Sequence, residues 1–367
     1  MHDERDDAWT RYLTWRWADA ELGVELDLGD AGLAAEQFTG AWEDRLTRAL
    51  AAMAALEAGA LANPDEGRQV GHYWLRAPSL APDPAITAAI ERSWEAIEAV
   101  AGPFRAGELT GSNGQVLDRV ILVGIGGSAL GPQLVADALA PAGARLTVLD
   151  NTDPIGMRRA LAEHGPLAQS LALVVSKSGS TVETRNGMVE LTAAFAGAGL
   201  SFEEHAVAIT GPESQLDLRA RGEGGGAPWR ARLPLWDWVG GRTSVCSPVG
   251  LLPAALLGID WRGLLAGAAR MDAATRAGAL RENPAITLAR LWFSETGGRG
   301  ERAMVVLPYR DRLVLLSRYL QQLVMESLGK RLDRHGNTVH QGLVVYGNKG
   351  STDQHAYVQQ LRDGRDD

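Results

Sequence analysis

The middle of the chain alternates short apolar runs with longer segments of helical periodicity. The apolar runs resemble strands that are buried on both faces. Strands that alternate with helices form βαβ units, and such units imply a parallel sheet with right-handed crossovers. The pattern therefore predicts an α/β fold. Its strands are predicted at residues 119–123, 145–149, 171–175 and 205–209, and its helices at residues 130–139, 154–164 and 181–196.

The flanking parts of the chain carry weaker patterns. Residues 1–62 are rich in Ala, Leu and Trp and predict two or three helices, and a further helix is expected at 86–100. A second α/β series follows Pro248. Its strands are predicted at residues 303–307 and 342–346, and its helices at residues 313–328 and 354–361.

These patterns predict three parts. Residues 1–80 form an N-terminal helical segment that packs on the second domain, residues 81–247 form a first α/β domain, and residues 248–367 form a second one. The second domain has only two convincing strands, which is few for a sheet. We therefore expect the second domain to be incomplete.

Composition and charge exclude several classes of protein. The net charge is -9 over 367 residues, which disfavours nucleic acid or an anionic membrane as the main partner. Cys246 is the only cysteine, so no disulfide can form within the chain and a cytoplasmic location is expected. The longest apolar run, residues 245–258, is too short to span a bilayer and contains two prolines.

Two loops follow strands of the predicted parallel sheet and carry groups that suit an anion. The first contains Gly127 and Ser128 within a Gly-Ile-Gly-Gly-Ser run. The second supplies hydroxyls and one of only three lysines in the chain, at Ser176, Lys177, Ser178 and Thr181. Free backbone N–H groups and a helix dipole point at such loops. Two loops that converge from different strands predict a binding site for one compact phosphate monoester.

Other interpretations of these loops remain open. The first could be a tight turn without a ligand, and the second could merely cap a helix. Gly124, Gly126 and Ala129 also resemble a dinucleotide fingerprint, and Asp150 ends the next strand where a ribose-binding acid would lie. An NAD-dependent enzyme is therefore an alternative, although a dinucleotide does not need the second loop.

The two loops resemble the phosphate-binding module of sugar isomerases. Three further segments make the resemblance specific to the phosphoglucose isomerase family: Gly-Gly-Arg-Thr-Ser at 240–244, Met-Glu-Ser-Leu-Gly-Lys at 325–330, and Gly-Asn-Lys-Gly-Ser-Thr-Asp-Gln-His-Ala-Tyr at 347–357. The resemblance covers the chain from about residue 70 onward. It implies two doubly wound domains of the sugar-isomerase type and the reversible isomerisation of glucose 6-phosphate and fructose 6-phosphate through an enediol.

The resemblance also implies a role for each site residue. Glu326 is the base that moves the proton, Arg242 stabilises the developing negative charge, and His355 opens the sugar ring with Gln354 orienting it. In the family this histidine comes from a neighbouring subunit, so a homodimer is expected at full length. The family uses no cofactor and no metal, and the spacing of His335, His340 and His355 fits no common zinc pattern.

The chain departs from the family pattern in one respect. Family members continue beyond the position of Asp367, with a C-terminal helix whose lysine contacts the sugar. The chain is therefore expected to be a fragment or a truncated homologue. A sugar-phosphate-binding protein without catalysis, or an inactive fragment, remains an alternative to an active isomerase.

Overall fold

The computed structural model describes residues 2–63, 67–276 and 278–364. Its strands are β1 (Arg16–Asp19), β2 (Val24–Asp27), β3 (Leu61–Asn63), β4 (Arg68–Gln69), β5 (Arg119–Val123), β6 (Leu146–Leu149), β7 (Ser170–Ser176), β8 (Ala206–Thr210), β9 (Ala231–Pro234), β10 (Met304–Val305), β11 (Lys330–Leu332), β12 (Thr338–Gln341) and β13 (Val345–Tyr346). Its α-helices are α1 (His2–Thr14), α2 (Ala41–Glu57), α3 (Pro84–Arg105), α4 (Leu130–Leu139), α5 (Pro154–His164), α6 (Val182–Gly197), α7 (Gln215–Ala220), α8 (Pro248–Leu256), α9 (Trp261–Ala274), α10 (Pro284–Glu295), α11 (Leu316–Leu320) and α12 (Gly350–Asp363).

A five-stranded parallel sheet forms the centre of the fold, in the order β6-β5-β7-β8-β9. All seven residues of β7 are buried, which explains the continuous apolar run from Leu171 to Val175 between its terminal serines. The four predicted strands are confirmed. The edge strand β9 was not predicted, because its four residues include the partly exposed Arg232 and end in Pro234.

Helices cover both faces of this sheet, as in a doubly wound fold. Leu171 and Leu173 point to one face and pack with residues of α3 and α8, such as Ile90 and Leu251. Ala172 and Val174 alternate with them and contribute to a second cluster that includes Leu191 and Phe195 of α6. This alternation places two separate apolar cores on one sheet. The predicted α/β class is confirmed.

A second, much smaller parallel sheet consists of β10 and β13, with Met304 opposite Val345. Both strands have two residues, so the predicted strands at 303–307 and 342–346 are too long. Val324, Leu343 and Val345 form the small core beside them. No observation tests the division into three domains, which stays a prediction.

The single helix predicted at 313–328 is wrong. The chain forms a 3₁₀ turn at Asp311–Leu313, then α11, then a π-helix at Gln321–Glu326. The apolar periodicity shows which face is buried, but it does not fix the hydrogen-bond register of each turn. The antiparallel pair β11 and β12 that follows was also not predicted.

Residues 1–62 contain two α-helices, α1 and α2, in line with the predicted two or three, but the hairpin between them was not predicted. Asp19 accepts hydrogen bonds from the backbone N–H groups of Glu21 and Leu22, and Gly23 has a φ of 64°, so the chain turns and β2 pairs with β1. Trp15 beside this hairpin lies in one cluster with Ile286 of α10. Within the described ranges, no helix is long and apolar enough to cross a membrane.

Candidate active site

The second predicted phosphate loop connects β7 to α6 and is shaped by its own hydroxyls. The Ser176 hydroxyl accepts a hydrogen bond from the backbone N–H of Gly179 at 3.1 Å and donates to Thr181 Oγ1 at 3.3 Å. Gly179 has a φ of +70°, and a Cβ there would lie 2.4 Å from the backbone nitrogen of Leu216. Ser178 accepts from the Ser180 hydroxyl at 2.9 Å. The loop is therefore a compact turn at the start of α6, where anions bind.

Lys177 joins this loop to the segment that precedes Arg242. Its Nζ donates to the backbone oxygen of Val239 at 3.1 Å and lies 3.5 Å from that of Asp237. The lysine therefore carries its charge toward the loop at residues 240–242, which we call the Gly-Gly-Arg loop. This contact places two of the predicted motifs side by side.

The first predicted phosphate loop also touches the Gly-Gly-Arg loop. A Cβ on Gly127 would lie 2.1 Å from the carbonyl carbon of Gly241, so the two backbones approach as closely as glycine permits. The Ser244 hydroxyl contacts the oxygens of both glycines, at 3.2 Å and 2.7 Å. Ser128 ends the 3₁₀ turn Gly126–Ser128 that opens this loop. Three loops from separate parts of the sequence therefore meet at one edge of the sheet.

Arg242 contacts the residue that the sequence predicts to be the base. Its Nη1 lies 2.9 Å from Glu326 Oε1, and its Nε donates to Ser327 Oγ at 2.8 Å. The Arg242 side chain is 28% exposed and the Glu326 side chain 54% exposed, so the carboxylate is open to a ligand. A cation held beside an accessible carboxylate can stabilise an anion that forms next to that carboxylate.

Sequence reasoning missed three residues at this site. The Gln322 amide nitrogen would lie 2.8 Å from a Cβ on Gly126, so this side chain reaches the first phosphate loop. Gln322 precedes Glu326 by four residues, and that spacing is the signal that could have identified it. Ser244 and Ser327 lie within the quoted motifs, but their hydrogen bonds depend on tertiary contacts.

Gln354 and His355 lie on α12. The Gln354 amide donates to the Tyr309 hydroxyl, and Asp353 accepts from the backbone N–H of Lys349 at 3.1 Å and from the Tyr357 hydroxyl at 2.6 Å. These contacts fix the start of the helix. His355 itself is exposed, and within the described part of the chain no hydrogen bond or ion pair joins it to Arg242 or Glu326. The structure therefore joins the loops, Arg242 and Glu326 by direct contacts, whereas His355 shares none of these contacts among the described residues.

Asp150, which the NAD alternative assigns to a ribose, already has a partner. Gln133 Nε2 donates to Asp150 Oδ2 at 2.9 Å. The carboxylate at the end of β6 is therefore explained by a contact to α4, which weakens the NAD alternative.

Comparison with known proteins identifies the family. The family model for phosphoglucose isomerase matches residues 42–366. The chain belongs to the phosphoglucose isomerase family. A glucose-6-phosphate isomerase of Geobacter sulfurreducens is 55% identical over 360 residues, which are 97% of this chain and 67% of that protein. A chloroplastic glucose-6-phosphate isomerase of Arabidopsis thaliana is 53% identical over 365 residues, 98% of this chain and 59% of that protein.

A solved phosphoglucose isomerase structure shares the fold. The crystal structure of a glucose-6-phosphate isomerase from Chlamydia trachomatis superposes with a TM-score of 0.84 at 27% identity, covering 97% of this chain and 69% of that one. The chain thus spans about two thirds of the length of the phosphoglucose isomerases it matches.

Proposed function

We propose that the chain carries the site of an aldose–ketose isomerase that interconverts glucose 6-phosphate and fructose 6-phosphate. The observation that carries this proposal is the 2.9 Å contact between Arg242 and Glu326 beside the two phosphate loops. Relatives named glucose-6-phosphate isomerase at 53–56% identity support the substrate pair.

The proposed chemistry needs one base and one cation. The Glu326 carboxylate removes the proton from C2 of the open-chain aldose, and the electron pair moves to the C1 oxygen to give an enediolate. The protonated Glu326 then returns the proton to C1, and the O2–H proton passes to the C1 oxygen as the C2 carbonyl forms, so protons balance and no cofactor is consumed. Arg242 stabilises the negative charge that develops on oxygen in both directions.

The two loops would hold the phosphate at a fixed distance from this base. Ser176, Lys177, Ser178 and Thr181 supply hydroxyls and one cation, and Gly127 and Ser128 supply a backbone N–H group and a further hydroxyl, respectively. Binding energy from the non-reacting phosphate can then position C1 and C2 against Glu326.

His355 remains the proposed acid and base for ring opening, with Gln354 orienting its helix segment. Its exposed position on α12 supports a homodimer in which a histidine reaches the site of a neighbouring molecule. Light scattering during gel filtration tests the dimer, and a monomeric mass across the micromolar range contradicts it.

We propose the cytoplasm as the location of the protein, on the basis of the single cysteine.

Proton exchange gives the sharpest test of the reaction. The chain is incubated with fructose 6-phosphate in D₂O, and deuterium at C1 of the ketose and at C2 of the aldose product is followed by NMR. Isomerisation with deuterium uptake supports an enediol. Binding of fructose 6-phosphate in calorimetry without isomerisation or exchange favours the non-catalytic alternative, for which the specific observation is that His355 is exposed and shares no hydrogen bond or ion pair with Glu326 among the described residues.

A further inference from the structure

The Arg242 side chain is held by two consecutive residues where the π-helix ends. Its Nη1 lies 2.9 Å from Glu326 Oε1, and its Nε donates to Ser327 Oγ at 2.8 Å. Nε and Nη1 do not share an edge of the planar guanidinium, so the two contacts together fix its place and its plane. Among the residues that the structure describes, the Arg242 side chain has no other hydrogen bond or ion pair. Its orientation therefore depends on these two partners.

The two partners respond differently to the proposed reaction. The contact to Glu326 is an ion pair, and its attraction is lost when the carboxylate becomes neutral. Glu326 becomes neutral when it removes the proton from C2, which is when negative charge develops on the substrate oxygen. The Ser327 hydroxyl oxygen is uncharged and can accept from Nε whatever the charge of Glu326. Ser327 is therefore the partner that still holds Arg242 at the moment when the arginine is needed.

The backbone that carries Arg242 is anchored without Ser327. The Ser244 hydroxyl contacts the oxygens of Gly241 and Gly127 at 2.7 Å and 3.2 Å, and the Thr243 hydroxyl donates to the oxygen of Gly240 at 3.1 Å. These contacts fix the loop but do not touch the guanidinium. The Ser327 hydroxyl therefore acts on the orientation of the arginine side chain rather than on the path of the loop.

We propose that Ser327 is a positioning residue of the isomerase site. Its hydroxyl keeps the Arg242 guanidinium aligned with the enediolate while Glu326 holds the proton. This role deepens the proposed function and rests on it. Loss of the hydroxyl should weaken the binding of a negative charge at C1 and C2, whereas the phosphate stays bound by the two loops that lie on other strands.

Two ligands separate these effects in calorimetry on the whole chain. The first is 5-phospho-D-arabinonate, whose carboxylate carries negative charge where the enediolate carries it. The second is sorbitol 6-phosphate, which has the phosphate and the hydroxyls without that charge. We expect Ser327→Ala to bind the arabinonate about ten-fold or more weakly, the loss expected for a hydrogen bond to a charged group. Its affinity for sorbitol 6-phosphate should stay within about two-fold of wild type.

Kinetics and three further variants complete the test. In Ser327→Ala the kcat for fructose 6-phosphate should fall by about the same factor as the arabinonate affinity, with KM nearly unchanged. Ser327→Thr keeps the hydroxyl and should recover most of the loss. Ser79→Ala removes an exposed hydroxyl from the 3₁₀ turn Pro78–Leu80 and should change none of these constants. In the Glu326→Gln background, Ser327→Ala should cost more arabinonate affinity than in wild type, because no ion pair then holds Arg242.

The outcomes distinguish this role from the proposed function. Wild-type kcat and arabinonate affinity in Ser327→Ala would overturn the role and leave the isomerase in place. Equal losses for both ligands, no recovery in Ser327→Thr, or the same loss in both backgrounds would also overturn it. A wild-type chain that shows the selective, Ser327-dependent binding of arabinonate but no isomerisation supports the role and counts against the proposed function. A wild-type chain that binds neither ligand refutes both.

Discussion

Arg242 Nη1 lies 2.9 Å from Glu326 Oε1, although the two residues are 84 positions apart in the sequence. Two different kinds of structure produce this contact. Arg242 follows two glycines at the start of a 3₁₀ segment, and Glu326 ends a π-helix. π-Helical turns are rare and concentrate at functional sites, because the extra residue re-aims a side chain. The proposed base and its electrostatic partner are therefore held by irregular backbone on both sides.

Replacing Glu326 by Gln tests the proposed base. The amide keeps the size of the side chain and an oxygen near Arg242, but it cannot accept a proton. We expect kcat to fall by about 10² to 10⁴, the range for loss of a general base, with little change in the affinity for the non-isomerisable analogue sorbitol 6-phosphate.

The control for Glu326→Gln is Glu163→Gln. Glu163 also pairs with an arginine, Arg159 at 2.8 Å, but on an exposed helix remote from the loops. The kcat of the Glu163→Gln variant should equal that of wild type. Equal loss of turnover and of analogue binding in the Glu326 variant would instead assign that residue a structural role.

Gly127→Ala tests the contact between the first phosphate loop and the Gly-Gly-Arg loop. A Cβ at this position would lie 2.1 Å from a backbone carbonyl carbon of Gly241, so the loops must separate. We expect a fall of at least about ten-fold in kcat/KM, because a displacement near 1 Å at a site costs up to about a hundred-fold. Steady-state kinetics measures the loss.

The matched variant for Gly127→Ala is Gly102→Ala in α3. A Cβ there meets no atom within 4 Å, and alanine is the better helix former by about 1 kcal/mol. Activity should be unchanged and thermal stability raised. Wild-type kinetics in Gly127→Ala would show that the two loops do not need their close approach.

Lys177→Met tests the phosphate loop. The methionine keeps most of the apolar stem but loses the charge that the contact to Val239 directs toward the Gly-Gly-Arg loop. We expect KM for fructose 6-phosphate to rise about ten-fold or more with a smaller effect on kcat, as for a lost charge-assisted hydrogen bond. Arg158→Met, a change of an exposed cation on α5, should leave both constants unchanged. A fall in kcat without a change in KM would place Lys177 in the chemical step.

The strands of the main sheet were predictable because each is buried on both faces. β7 is the clearest case, since all seven residues are buried and the five between its terminal serines, Leu171 to Val175, are apolar. The two phosphate loops followed from their place at the carboxyl ends of such strands. Glu326, Arg242 and His355 were assigned by family resemblance, because a lone Glu, Arg or His carries no periodic signal.

The features that were missed are those that apolar periodicity does not report: local hydrogen-bond register, turns and contacts between distant loops. The helix predicted at 313–328 is divided into α11 and a π-helix, which differ in hydrogen-bond register. Apolar periodicity does not report that register. The hairpin of β1 and β2 depends on the turn at Asp19 and Gly23 inside a segment of helical composition. Gln322 and Ser327 reach the site only because the loops that they contact come from elsewhere in the chain.

The buried His164 predicts how stability depends on pH. Its ring lies 2.8 Å from both the Thr147 and the Ser170 hydroxyls, and the residue is 7% exposed. Burial, and next the nearby Arg119, lower the pKa of His164 to about 4. The unfolded chain binds this proton near pH 6.5. The contribution of His164 is therefore complete above that pH and is lost as the pH falls from about 6.5 to about 4.

Urea unfolding at pH 7.5 and pH 5.0 measures this loss. His164 should account for about 2 kcal/mol of the decrease in unfolding free energy between the two pH values. In His164→Gln the stability at pH 7.5 is lower, since the hydroxyls lose their partner, but the decrease on acidification should shrink by about that 2 kcal/mol. His335→Gln alters an exposed histidine and should keep the wild-type decrease. An identical decrease in wild type and His164→Gln would mean that the buried ring takes up its proton in the folded state.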